Sequence, residues 1–461
     1  MPRKKRPVII VANRLPVQRM RRTDPTERWE ESPGGLTTAL KPVLERHGGK
    51  WVGWSGSAGP APQPFAFDGM DLRPIALTAG EVETYYQGFS NRTLWPLYHD
   101  AIRTPEFRRE WWEPYVAVNK RFAKRVATIA KREHRVWIHD YHLQLVPGLL
   151  RKLRPDLRIG FFLHIPFPPE ELFAWLPWRR EILEGLLGAD VVGFQTHGSA
   201  QNFSRLARAY TDAEGIDTLL TFNGRDVRVG SFPISIDFKW FESVAEAPET
   251  VRQAKQIRAR VGRRRVLLAV DRLDYTKGIE LRLTAFNQLL RNGGTRADEC
   301  VLIQIAVPSR ETVPNYAETR DSVERLVARI NGQFSDPGRV VVHYFRRSLP
   351  REELVPFYVA ADVLLVTPLR DGMNLVAKEF VACRSHYTGV LVLSEFAGAA
   401  RELRRALLVN PRDVDAMART IQSAMSLPVD DARQRMTALR MNVRRHDVHD
   451  WARLFLEAIE R

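Results

Sequence analysis

The residues best suited to chemistry in this chain are cations and carboxylates placed just after apolar runs. The stretch Thr367-Pro-Leu-Arg-Asp-Gly-Met-Asn-Leu-Val-Ala-Lys-Glu379 follows Asp362-Val-Leu-Leu-Val366, which reads as a buried strand. A turn at Asp371-Gly372 leads into a helix whose first turn is expected to carry Met373, Asn374 and Leu375. Strand, glycine turn and helix N-terminus together form a cup of backbone N–H groups suited to an anion. Asp371 stands at the rim, where a carboxylate accepts hydrogen bonds from hydroxyls. Glu379 is roughly 12 Å further along if the step is helical throughout, enough to hold a second part of an extended ligand. The same pattern also reads as a capped helix after a core strand.

Arg272 and Lys277 lie in one loop after the run Arg265-Val-Leu-Leu-Ala-Val270. Two fixed cations there can hold a diphosphate and neutralise it as it leaves; the competing reading is ion pairs with Asp271 or Asp274. Arg14 and Arg310 each end an apolar run and could bind a separate phosphate. Tyr86 and Trp95 could pack on a sugar ring, although core packing explains them equally. Asp140 and His164 are polar groups at strand ends; Asp140 could bind hydroxyls or act as a base. His139, His142 and His164 raise the question of a metal, but His-Asp-Tyr-His does not place two ligands on one helix face, so no metal is expected. A P-loop and a Gly-x-Gly-x-x-Gly fingerprint are both absent, which disfavours a P-loop kinase and a dehydrogenase.

Strands must position these groups. Runs at 7–12, 51–54, 135–139, 158–164 and 190–194 alternate with helical stretches in the first half. Runs at 265–270, 301–306, 340–344, 363–366 and 390–393 do so in the second. This alternation implies α/β architecture with parallel sheets, in two Rossmann-like domains facing each other. Asn13-Arg14, Asp140, His164, Arg272–Lys277, Arg310 and Asp371 fall beyond strand carboxyl ends, where such sheets bind ligands. Pro233 and the polar segment 237–250 are the linker candidate. The expected domains are 1–235, 236–445 and a C-terminal helix, 446–461, with a return to the first as one expectation for it. Its face is read as Trp451, Leu454, Phe455 and Ile459.

Composition bounds the class. The chain has 461 residues, 44% hydrophobic and 27% charged, so two globular domains are the prior. No apolar run reaches the roughly 20 residues that cross a bilayer, and no membrane association is expected. Cys300 and Cys383 show no ligand or redox spacing, which fits the cytoplasm. The net charge is +16, from 70 basic and 54 acidic residues, but the arginines are dispersed and no nucleic-acid motif appears. Attraction for phosphorylated metabolites fits better than nucleic-acid binding. The basic run at 3–6 reads as a solvated tail.

The motifs Asn13-Arg-Leu-Pro16, Pro33-Gly-Gly-Leu36, Trp54-Ser-Gly56, Phe89-Ser-Asn91, Leu94-Trp-Pro96 and Trp137-Ile-His-Asp-Tyr-His142 form one set with several more. These are Gly160-Phe-Phe-Leu-His-Ile-Pro-Phe-Pro168, Gly193-Phe-Gln195, Arg272-Leu-Asp-Tyr-Thr-Lys-Gly278, Ile305-Ala-Val-Pro-Ser-Arg310 and the opening stretch. From about residue 7 onward the chain resembles the trehalose-6-phosphate synthases, retaining glycosyltransferases of the GT-B architecture. The resemblance implies that Gly35 approaches the donor diphosphate and that Arg272 and Lys277 hold it. It implies that Glu379 binds the ribose. Asp371 and the backbone of Gly372, Met373, Asn374 and Leu375 would bind the donor glucose and phosphate, and His164 would contact the same glucose. Arg14, Tyr86, Trp95 and Arg310 would bind the phosphate end of glucose 6-phosphate, and Asp140 its ring hydroxyls. Trp54 belongs to a matching motif without a fixed role. Asp140, His164, Arg272, Lys277 and Asp371 are the catalytic candidates.

The implied reaction moves glucose from a nucleotide-glucose, UDP-glucose first, to glucose 6-phosphate with retention, without cofactor or metal. Tyr275-Thr-Lys277 and Ile305-Ala-Val-Pro-Ser309 depart from the common family wording, and 346–350 leaves the nucleobase open. A sibling transferase using GDP- or ADP-glucose, or a glycerol-3-phosphate-type acceptor, is the near alternative. A non-catalytic regulatory homologue would be expected to lose Arg272, Lys277 or Asp371, and all three are present. The expected partners are small-molecule substrates, with a homo-oligomer possible.

Overall fold

The computed structural model describes residues 6–19, 29–32, 35–310 and 313–461. They form two compact units: 1–233 together with 449–461, and 234–448. The expected α/β class with parallel sheets holds in both.

The first unit is built on ten strands among the described residues. They are β1 (Val8–Arg14), β4 (Gly49–Trp54), β5 (Phe65–Phe67), β6 (Met70–Ile75), β7 (Arg135–His139), β8 (Arg158–Phe162), β9 (Val191–Phe194), β10 (Glu214–Ile216), β11 (Leu219–Phe222) and β12 (Arg225–Ser231). A separate antiparallel ribbon joins β2 (Val17–Arg19) to β3 (Trp29–Glu31). The sheet order is β10-β11-β12-β9-β8-β7-β1-β4-β6-β5, parallel from β12 to β6 with antiparallel strands at both edges. Val8–Ile10 and all of β7 are buried, as strands covered on both faces must be. The chain runs outward from β1 to β4 and β6, then returns to β7 on the other side of β1. The switch point therefore lies between β1 and β7, where their carboxyl ends open a crevice.

A helix at Val448–Glu460 covers part of this sheet. Phe455 stacks on Trp137 at 4.7 Å, and a Cβ at Gly160 would come within 2.5 Å of Ile459. Trp451, Phe455 and Ile459 are buried as read from the sequence. Leu454 is not: it points to solvent, and Ala452 and Leu456 take the inner face. Leu454 falls off the 3.6-residue stripe that the other three define.

The second unit has six parallel strands: β13 (Arg265–Arg272), β14 (Cys300–Val307), β15 (Val342–Phe345), β16 (Val363–Val366), β17 (Val390–Ser394) and β18 (Leu407–Val409). Their order, β15-β14-β13-β16-β17-β18, puts the switch point between β13 and β16. Leu267, Leu302, Leu365 and Val392 supply the core of one face, under Phe286 and Ile421.

Two expected features differ. The linker segment 237–250 is helical: Asp237 caps Phe238–Glu246 by accepting from the Trp240 N–H, and a second helix starts at Pro248. Its polar residues are the solvent faces of helices, not a tether. The segment holding Tyr86 and Trp95, left without an assignment, is a π-helix at Val82–Leu94 running into a short α-helix. The Trp95 N–H bonds back five residues to the Ser90 carbonyl, which spaces the side chains differently from an α-helix.

Candidate active site

In the first unit the predicted residues Arg14, Tyr86, Trp95, Asp140 and His164 are linked around the switch point. Arg14 ends β1, and its guanidinium lies over the Trp54 ring at 4.9 Å. Trp54 ends the neighbouring β4. Gly56 has φ +96°, and a Cβ there would overlap the Arg14 guanidinium, so this glycine makes room for the cation. Burial lowers the Arg14 pKa, with the nearby Tyr86 acting the other way.

From Arg14 a chain of rings runs through the site. Trp54 meets Tyr86 edge-on at 5.6 Å, and Tyr86 stacks with His142 at 5.8 Å. His142 touches Tyr141, and Tyr141 packs on Trp95 at 5.7 Å. Trp95 is 3% exposed, so it reaches the site through this packing rather than as an open face. Tyr85 ties the π-helix to β1 by donating to Asn13 Oδ1 at 2.8 Å.

Asp140 follows β7 with φ +74° and ψ 167°, a conformation that costs about 1–3 kcal/mol outside glycine. Two bonds hold it there. Its N–H donates to the Phe162 carbonyl at 2.8 Å, and its carboxylate accepts the His164 N–H at 3.3 Å. Strained backbone of this kind concentrates at functional sites. Of the eight non-glycine residues with positive φ among those described, three are predicted site residues: Asp140, Arg310 and Asn374. The His164 ring, half-buried, packs on Phe162 at 4.7 Å, and loss of water around it pushes its pKa down to about 3.

The second unit brings five predicted residues together at its own switch point. Arg272 is the last residue of β13, and Lys277 closes the short 3₁₀ turn that follows. Across from them, after β16, Asp371 accepts from Lys277 Nζ at 2.7 Å and from Asn374 Nδ2 at 3.1 Å. Asp274 is fully buried, and Arg272 and Arg310 approach it at 3.6 and 3.7 Å. Burial alone would raise the Asp274 carboxyl; Arg272, Arg310 and Lys277 outweigh it and hold the group below its ordinary pKa. Arg310 also bonds the Tyr316 hydroxyl. The suggested pairing of Arg272 with Asp274 is therefore present. Asp271 instead pairs with the buried Arg282, and Lys277 with Asp371.

The cup after β16 differs from its expected form. The helix spans Leu375–Cys383, so Met373 and Asn374 precede it. Asn374 is the N-cap, at φ +87°, and its side chain accepts from the Ala377 N–H. Asp371 is tied to 396–398: its N–H donates to Phe396 O, and the Gly398 N–H donates to Asp371 O. Glu379 thus lies little more than one helical turn past Leu375, not eight helical residues past Asp371. Its carboxylate accepts from the Tyr358 hydroxyl at 2.7 Å, and burial raises its pKa. Gly35 opens the helix Gly35–His47; Pro33 and Gly34 of its motif, and residues 3–5 of the basic run, lie outside the described residues.

The sequence matches glycosyltransferase family 20 over residues 6–461. A trehalose-6-phosphate synthase of Mycobacterium avium is 54% identical, with 98% of this chain and 94% of that protein covered. A Burkholderia xenovorans alpha,alpha-trehalose-phosphate synthase (UDP-forming), solved in complex with glucose-6-phosphate, superposes with TM-score 0.90 at 34% identity, covering 99% of this chain and 100% of the other. An Escherichia coli protein bound with UDP-2-fluoro glucose gives TM-score 0.89 at 34% identity, over 98% and 99% of the two chains. The chain belongs to glycosyltransferase family 20.

In each unit of this family 20 chain, residues that support the candidate side chains were not picked out from the sequence. His139 contacts His164, Gln195 approaches it, Tyr358 holds Glu379, and Tyr316 and Asp274 hold Arg310. Tyr316 and Tyr358 sit on helices outside the quoted motifs and gave no signal. His139, Gln195 and Asp274 lay inside quoted motifs, where their burial would have marked them as supports. Among the described residues, no group of three or more His, Cys, Asp or Glu side chains is arranged to hold a metal ion, and no helix is long and apolar enough to cross a membrane.

Proposed function

We propose that the protein transfers glucose from UDP-glucose to the anomeric hydroxyl of glucose 6-phosphate, giving α,α-trehalose 6-phosphate and UDP. The observation that carries this is full-length likeness to synthases solved with glucose-6-phosphate and with UDP-2-fluoro glucose, in a chain that keeps Arg272, Lys277 and Asp371 together.

In this reading Arg272 and Lys277 take the donor diphosphate. The bond broken joins the donor's anomeric carbon to a phosphate oxygen. The new bond runs from that carbon to the acceptor's anomeric oxygen, whose proton passes to the departing phosphate. Both events occur on one face, so the α configuration is retained. Charge grows on the leaving phosphate, and fixed cations stabilise it without reorganising. The N–H groups and N-cap around 372–375 contribute in the same sense. Asp371 and His164 orient the donor glucose, and Gly35 lets the diphosphate approach.

Glu379, kept half-buried by Tyr358, takes the ribose hydroxyls. Arg14 and Arg310 take the acceptor phosphate, with Tyr86 and Trp95 shaping its pocket and Asp140 binding the acceptor ring. Holding both reactants in line supplies much of the rate enhancement. Buried, unpaired Cys300 and Cys383 support a cytoplasmic location.

The test is purified protein with glucose 6-phosphate and a panel of UDP-, GDP- and ADP-glucose, with EDTA present. Trehalose 6-phosphate formed fastest from UDP-glucose is expected. Product only from another donor or acceptor would replace this reading with that of a sibling transferase.

A further inference from the structure

His139 is the last residue of β7, and its ring is completely enclosed. Its Nδ1 lies 3.1 Å from His164 Nε2, with the two rings stacked at 5.3 Å. Among the described residues, its Nε2 is buried without a hydrogen-bond partner. A buried polar atom left unsatisfied in a native structure calls for an explanation.

Burial depresses both imidazoles, so each ring is neutral and carries one N–H. The 3.1 Å contact needs one N–H and one lone pair, which leaves two arrangements. In one, His164 donates from Nε2; His139 then carries its own proton on Nε2, burying an N–H with no acceptor. In the other, His139 donates from Nδ1 and leaves only a lone pair unmatched on Nε2. Orphaned buried N–H groups are the rarer of the two defects. Gln195 Nε2 stands 3.5 Å from His164 Nδ1, too long a contact to override this choice.

We propose that His139 donates its Nδ1–H to His164 Nε2 and thereby fixes His164 as the Nδ1–H tautomer, presenting a hydrogen-bond donor to an oxygen of the donor sugar. His139 is a positioning residue, acting through His164, and the inference rests on the reading of His164 given above. It explains the unmatched nitrogen: leaving Nε2 without a proton is what forces the proton onto Nδ1. It also makes the choice at His164 independent of solvent, because the partner ring is sealed from water.

The test begins with the full chain labelled with ¹⁵N-histidine, free of substrate, with His164 assigned by comparison with His164→Gln. The expected signature is a protonated Nδ1 and an unprotonated Nε2 at His164; the reverse overturns the proposal. Kinetics follow. His139→Phe should lower kcat/KM for UDP-glucose by about ten- to hundredfold, the loss of one well-placed hydrogen bond. His139→Asn, whose amide nitrogen can replace Nδ1–H, should recover to within about threefold of the parent. Equal losses in the two variants, or none in His139→Phe, overturn it. Should His139→Phe not fold, the spectrum of the parent still decides. An unchanged kcat/KM in His164→Ala would overturn the sugar contact itself, separately from the tautomer.

Discussion

Lys277 Nζ and Asp371 Oδ2 meet at 2.7 Å, each held on the loop that follows one of two adjacent parallel strands. The pair ties the cation proposed for phosphate to the carboxylate proposed for sugar hydroxyls. Lys277→Met and Asp371→Asn should each lower kcat by about 10²–10³-fold, the usual effect of removing one transition-state contact. The double variant should lose far less than the product of the two, because the partners act as one unit. Multiplicative losses at saturating substrates would show that the two groups work separately.

Asp274 holds Arg272 and Arg310 from one buried position. Asp274→Asn keeps the shape and the Thr276 contacts but removes the charge. KM should rise for both UDP-glucose and glucose 6-phosphate, whereas Arg310→Ala should raise the acceptor KM far more than the donor KM. A change in only one KM for Asp274→Asn would mean that the carboxylate positions one arginine alone.

Gly398 backs the Asp371–Gly372 segment so closely that a Cβ would overlap the Gly372 carbonyl. Gly398→Ala therefore has to displace this segment. Its donor KM should rise at least about tenfold through the displaced backbone contacts, with the acceptor KM little changed. Unaltered donor kinetics in a folded variant would place the glucose away from this backbone.

The contact pair His139–His164 sets a pH dependence of stability. Folded His164 titrates near 3 against an ordinary value of 6.5, and His139 is lowered as well. Between those values the unfolded chain binds more protons than the native one, so stability falls as pH drops from 6.5 toward 3. Each histidine can contribute a slope of about 1.4 kcal/mol per pH unit. Urea unfolding of the parent and His139→Phe at pH 7, 6 and 5 checks this. The variant lacks one titrating group and should show the shallower slope; parallel slopes would mean that His139 is already protonated in the native state.

The strands were legible because parallel strands covered on both faces read as uninterrupted apolar runs, as at Val8–Ala12 and Val363–Val366. With the strands came their carboxyl ends, and so Arg14, Asp140, Arg272 and Asp371 could be picked out. The π-helix at Val82–Leu94 was not legible, since its spacing matches neither the helix nor the strand template. The 237–250 segment misled because a solvent-facing helix and a polar linker share a composition. At Met373 and Asn374 the expected helix gave way to a cap, a difference set by the positive φ of Asn374 and not by its residue type alone. Support residues were the hardest to see. Asp274 read as an ion-pair partner of the loop cations and His139 as a metal-ligand question set aside, because burial is a property of the fold and leaves no local mark.

The first unit is discontinuous in sequence: residues 449–461 return to it after the whole of the second unit. The groove over Gly160 and Gly193 that receives Ile459 and Phe455 is therefore an unfilled apolar surface for as long as that segment is missing. During synthesis the second unit, contiguous from 234 to 448, can complete itself first, while the first waits for a helix made some 215 residues later. A nascent chain at that stage displays a sticky sheet face, and chaperone dependence should concentrate there.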